Sequence, residues 1–196
     1  MCWTVSQPEL SPGIVALSRS PEHNFSKPNV SSITLLAGLG VAGDCHAGET
    51  VQHRSRLHIR PPPTNLRQVH LIPLATLQER GLKPGEIGEN VVTDGLDLLD
   101  MPTGTKLRFT LSPPPPTIVL TGVRNPCPQI EKFRKGLQET FIMRDADRRI
   151  VHRLAGVMAV VEVGGVVKPG MRIEAVMPST TATEGESGYN GPLQPV

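Results

Sequence analysis

The chain has 196 residues, a length that suits one domain with a substantial core. Lys and Arg number 20 against 18 Asp and Glu, and aromatic residues make up 3%. That near-neutral, aromatic-poor composition carries no basic track for nucleic acid, and no stretch approaches the ~18 apolar residues of a membrane span.

Residues 1–11 lack a basic start followed by an apolar core, so they are expected to form a short N-terminal extension rather than a secretory signal. Cys2, Cys45 and Cys127 form no spaced framework, which predicts free thiols and a cytoplasmic location. The chain holds 20 prolines and 19 glycines, which cut it into short pieces. This disfavours a helical bundle and predicts a mainly β domain over residues 12–177 with a few short helices.

GIVALSRS (13–20) and SITLLAG (32–38) are the first predicted strands. The next stretch, GLGVAGDCHAG (38–48), spells G-x-G-x-x-G, the fingerprint of dinucleotide-binding folds. That motif works only between a buried strand and a helix that opens on the glycines. Here DCHAGETVQHRSRLHIRPPP follows, without an apolar helical stripe and ending in three prolines. The stretch is better taken as a glycine turn that presents Asp44, Cys45 and His46. Asp44 itself is then a routine turn residue.

Residues 47–65 form a long polar loop, expected to be functional or mobile. LRQVHLI (66–72) predicts a strand with Leu66, Gln68, His70 and Ile72 on one face. PLATLQERG (73–81) predicts a short helix with Pro73 at its first position and Gly81 as its stop. KLRFTLS and TIVLTGVR are strands on either side of a run of four prolines. AGVMAVVEVGG (155–165) is a buried strand, and GMRIEAVM (170–177) is expected to return as its neighbour. Residues 178–196 hold too little apolar content to pack, which predicts a disordered tail.

The segment richest in chemistry is TIVLTGVRNPCPQIEKFRKG (117–136), which reads as strand, turn, cysteine, helix. Pro128 fits the first helical position, Ile130, Phe133 and Leu137 supply an apolar stripe, and Gly136 ends it. Cys127 then falls at the N-cap, where amides, dipole and Arg124 favour a thiolate suited to metal ligation or nucleophilic attack. Its alternative fate is that of a small, packed apolar residue. His46, His53, His58 and His70 show no tight structural-zinc spacing, and Cys45 with Cys127 forms no C-x-x-C, so zinc is not the favoured reading. His70 is expected to be a satisfied structural histidine. Glu86 and Glu89 offer a carboxylate pair, with Glu86 placed on an exposed turn.

TGVRNPCPQI resembles the cysteine motif of the MOSC family, named for the C-terminal domain of molybdenum cofactor sulfurase. HNFSK (23–27), GVAGDCHAG (40–48), RQVHLI (67–72), PGEIGENVVTDGLDLLDMPTGTKLRF (84–109) and GVMAVVEVGGVVKPGMRIE (156–174) match in the same order. The resemblance implies a MOSC-type β-barrel-like domain that holds the molybdenum cofactor (molybdopterin), with Cys127 as metal ligand or sulfur carrier. It further implies reduction of small N-hydroxylated substrates, with electrons from a separate flavin or iron–sulfur reductase. Sulfur transfer through a Cys127 persulfide, or cofactor carriage without turnover, is the alternative. Met171 after Gly170 and Cys45 within the GDxHAG motif depart from the family pattern. Residue type and motif location add Lys27, Arg67 and Arg124 as candidates for the cofactor phosphate. Asn90 and Asn125 are candidates for its pterin ring, and His46 for a catalytic proton donor.

Overall fold

The computed structural model describes residues 11–52, 58–110, 113–179 and 193–196. Cys2, His53, nearly all of the N-terminal extension and most of the tail lie outside the described residues.

Seven strands close into a barrel: β1 (Gly13–Ser18), β5 (Val69–Pro73), β6 (Val91–Asp94), β7 (Lys106–Thr110), β8 (Thr117–Val123), β11 (Val157–Val163) and β13 (Arg172–Val176). Their order is β13-β7-β8-β11-β5-β6-β1, and Gly13 opposite Arg172 joins the two ends. Closure removes the exposed edges that an open sheet must protect. All neighbours are antiparallel except β5 and β6. The short strand β2 (Asn29–Val30) adds to β1. A side sheet joins β12 (Gly165–Val167), β3 (Ile33–Leu36) and β4 (Gly40–Val41), and a hairpin pairs β9 (Ile142–Arg144) with β10 (Ile150–Arg153).

The period of two along each strand sorts the core into two parts. Val69, Leu71 and Val91 join one buried cluster with Leu107, Phe109, Ile118, Leu120 and Val157. Ile72 and Val92 join a second with Leu77, Ile130, Leu137 and Phe141. The second cluster seats the helices α1 (Leu74–Gln78), α2 (Pro128–Phe133) and α3 (Leu137–Thr140) against β5 and β6. Burying Ile130 alone contributes about 1.5–3 kcal/mol, which fixes α2 and with it the position of Cys127. His70 and Ile72 do share a face, as the alternation predicts. Both faces of β5 are buried, because the helices and loops cover the outer one.

Four expectations need correction. β13 is not the neighbour of β11; it pairs with β7 and β1. The intervening β12 pairs instead with β3, Val166 opposite Thr34, and carries the chain away from β11. The single helix foreseen up to Gly136 is two, because α2 ends at Phe133 and Gly136 (φ 81) opens α3. Phe133 is exposed rather than part of a buried stripe. Pro73 ends β5 and caps α1 instead of opening it. From the tail, residues 193–196 are described and lie beside β8, with the Val123 amide donating to Gln194 O at 2.9 Å.

The loop through residues 84–90 packs tightly on the segment that carries Lys27. Gly85 (φ 91) and Gly88 (φ 81) sit where a Cβ would run into the carbonyl oxygens of Lys27 and Phe25. Both the backbone conformation and the space demand glycine. Gly85→Ala is expected to cost more than about 1 kcal/mol, read as a lowered urea midpoint with unchanged slope.

Candidate functional site

The glycine-rich turn delivers a buried ionic hub. Gly43 (φ 72) turns the chain after β4, and Asp44 points inward with a side chain 1% exposed. Its Oδ2 lies 2.7 Å from Lys27 Nζ, and accepts from Asn90 Nδ2 at 3.0 Å and from the Ser20 amide at 3.3 Å. Its Oδ1 accepts from the His46 amide at 3.0 Å and lies 3.3 Å from His46 Nδ1. Burial opposes the charge, yet the His46 hydrogen bond and the Lys27 ammonium hold the carboxyl well below the usual carboxylate range. Asp44 is therefore far more than the routine turn residue of the sequence reading.

Asn90 is equally committed. Its Nδ2 also donates to Ser18 O at 3.1 Å, and its Oδ1 accepts from the His70 amide at 3.2 Å. The side chain thus ties β1, β5 and the glycine turn together.

A second buried unit lies where β8 ends. The Arg124 amide donates to Gly156 O at 2.9 Å, and its Nη1 donates to Ile87 O at 2.7 Å. The same Nη1 lies 3.3 Å from His70 Nδ1, while His70 Nε2 lies 2.7 Å from Ala155 O. A carbonyl only accepts and a guanidinium only donates. His70 must therefore be the neutral tautomer with its proton on Nε2. Burial and the adjacent Arg124 push its pKa well below the ordinary histidine value, which agrees. His70 is the satisfied structural histidine the sequence suggested, and its task is to hold Arg124. His70→Leu should cost about 1–3 kcal/mol for each orphaned partner, measured by denaturant unfolding.

Arg124 in turn faces Cys127, the residue before Pro128. Burial disfavours the guanidinium charge, and Cys127 and Glu89 counter that effect. Cys127 is the N-cap of α2, as predicted, but its side chain makes no capping hydrogen bond and the helix has only six residues. The buried guanidinium, not a helix terminus, is the positive charge that matters beside this sulfur.

These units open on one cleft. Lys27, His46, Arg67, Asn90, Arg124 and Cys127 line it together, joined by Asn24, Phe25, Asn65, His70, Gln129 and Met158. Lys27, Arg67 and Arg124 all act on His70 electrostatically, so three cations converge here. Among the described residues no Asp or Glu lines the cleft. Asn125 is not part of the lining; its Oδ1 accepts from Arg153 Nε at 3.1 Å. Glu86 and Glu89 are also elsewhere: Glu86 accepts from the Lys83 amide, and Glu89 from the Gly85 amide. The long polar segment is pinned at both ends, with the Val51 amide on Pro63 O and Asn65 Nδ2 on His46 O. Asn65 and Gln129 carried no signal beyond their polarity, and only the closed fold brings them to the cleft.

The MOSC domain family model matches residues 64–174, which run from β5 into β13 and include the cysteine turn. The chain belongs to the MOSC family. Among solved structures, the MOSC barrel is similar to that of the YuaD protein from Bacillus subtilis, with 21% identity and TM-score 0.68. That match covers 87% of this chain and 98% of the other. YiiM from Geobacillus stearothermophilus is similar at 16% identity and TM-score 0.58, over 87% of this chain and 78% of that one. YiiM from Escherichia coli is similar at 18% identity and TM-score 0.53, over 87% and 73%. No curated protein sequence matches the chain. Among the described residues, no helix is long and apolar enough to cross a membrane.

Proposed function

We propose that the cleft binds the molybdenum cofactor with Cys127 as the protein's metal ligand, and that the chain reduces small N-hydroxylated compounds. The observation that carries this reading is the lining itself: one thiol, three converging cations, several side-chain amides and, among the described residues, no carboxylate. That donor set fits an anionic, phosphorylated pterin with a thiophilic metal. Thiolate suits such a metal, and guanidinium and ammonium groups suit a phosphate. When bound, the cofactor supplies two-electron chemistry.

The chain's own residues do the rest. Arg124, fixed by Ile87 O and His70, offsets negative charge beside the Cys127 sulfur. Arg67 offers the cleft a second guanidinium for anion binding. Lys27 contributes charge but already serves Asp44. Amide contacts to the pterin fall to Gln129 better than to Asn90 or Asn65, whose side chains are committed to the scaffold, or to Asn125, which lies outside the lining. His46, oriented by Asp44, is the group placed to give a proton to the departing hydroxyl.

Converting R–NHOH to R–NH2 and water consumes two electrons and two protons. Three cysteines cannot ligate a four-cysteine iron–sulfur cluster. The G-x-G-x-x-G stretch lies in an antiparallel pairing of β3 with β4 rather than in a strand–helix turn. The reading takes the electrons to come from outside this barrel, from a flavin or iron–sulfur reductase.

The test is turnover. Protein from a host that makes the cofactor is supplied with a chemically reduced viologen dye and an N-hydroxylated base. Formation of the amine is expected, in step with dye oxidation. A cofactor-loaded protein that leaves the substrate unchanged would sink the reductase reading and favour sulfur transfer.

A further inference from the structure

His23, Cys45 and His46 were not grouped by sequence, because His23 arrives from the segment after β1. The fold brings their ligand atoms within 4.8 Å of one another. Cys45 Sγ lies 3.2 Å from His46 Nδ1, and the rings of His23 and His46 meet edge to face with centroids 5.6 Å apart. Tetrahedral Zn–N and Zn–S bonds place ligand atoms roughly 3.3–3.6 Å apart. The three groups therefore need only small side-chain movements to close on one ion.

The surroundings favour such closure. The Cys45 amide donates to Ser20 O at 2.8 Å, which ties this ligand to the segment that carries His23. The His46 backbone is held at both ends, its amide by Asp44 Oδ1 and its carbonyl by Asn65 Nδ2 at 2.9 Å. Asp44 thus steadies the His46 backbone whichever ring nitrogen takes the ion. Its own charge is already balanced by Lys27, so it can serve without becoming a ligand.

We propose that His23, Cys45 and His46 form a binding site for a borderline-soft divalent cation such as Zn2+, at the rim of the cleft. Two imidazoles and one thiolate leave a fourth position for water or an exogenous donor. The site is separate from Cys127 and stands whether or not the cleft binds molybdenum. Because His46 also lines the cleft, an ion here would take up the imidazole assigned above as proton donor.

The experiment uses the full chain, treated with a chelator and titrated with Co2+ as a spectroscopic stand-in for Zn2+. The expected result is one equivalent bound, with thiolate-to-metal charge transfer and the intense visible bands of tetrahedral cobalt. The signal should persist in Cys127→Ser and vanish in Cys45→Ser. His23→Ala and His46→Ala should each weaken binding by at least about tenfold. Melting curves of every variant show whether a lost signal reflects lost ligation rather than unfolding. Charge transfer that survives Cys45→Ser but disappears in Cys127→Ser would overturn the assignment, as would no thiolate band in the unaltered chain. Failure here leaves the turnover test untouched, since that test depends on the Cys127 sulfur.

Discussion

Asp44→Asn is expected to lower stability by about 3–5 kcal/mol, the usual cost of breaking a buried ion pair from one side. For a domain of this size that is roughly 6–20 °C in melting temperature. The reason lies in what surrounds the carboxylate. Lys27 Nζ, Asn90 Nδ2 and the Ser20 amide face one oxygen, and the His46 amide faces the other. Every one of these is a donor, so an amide NH2 fits on neither side. Lys27, 2% exposed, would also keep its charge with no counterion. The double variant Asp44→Asn, Lys27→Met removes both charges and should recover part of the loss. A double variant no more stable than the single one would show that the pair is not the source. The pH dependence has a definite sign. Asp44's folded pKa is depressed below its unfolded value, so its stabilisation is fully present above about pH 4 and fades as pH falls further. Asp44→Asn should flatten that acid limb.

Cys127→Ser is the second large effect, and it falls on function rather than stability. The sulfur is half-buried at the edge of the second core cluster and caps nothing. Unfolding free energy should therefore change by less than about 1.5 kcal/mol. Turnover of an N-hydroxylated base should fall at least about 100-fold, since even residues behind a metal ligand cost 10–100-fold. A variant that retains most of its turnover would remove Cys127 from the proposed site.

The family and barrel class were legible from the ordered motifs, and composition alone pointed to short strands. The strand neighbours were not, because β11 and β13 are close in sequence while β12 leaves the barrel to pair with β3. Cys127, Arg124, Arg67, Lys27 and His46 were named from residue type and motif, and all line the cleft. Asn90 lines it too, but hydrogen bonds to Ser18, Asp44 and His70 spend its side chain on the scaffold. Asn125, two residues before Cys127, does not line it; its side chain faces Arg153 instead. Asp44 was undervalued because a Gly-Asp pair looks the same in an exposed turn and in a buried one. Only the distant partners Lys27 and Asn90 distinguish the two, and their approach is a property of the closed fold. The histidine cluster stayed hidden for the same reason, with His23 lying on a different segment from Cys45 and His46.

The most direct test of the account is molybdenum per chain, measured by elemental mass spectrometry on protein purified from a cofactor-producing host, beside Cys127→Ser. The account predicts near-stoichiometric molybdenum in the unaltered protein and a marked drop in the variant. Molybdenum absent from both, with the protein folded, would contradict it.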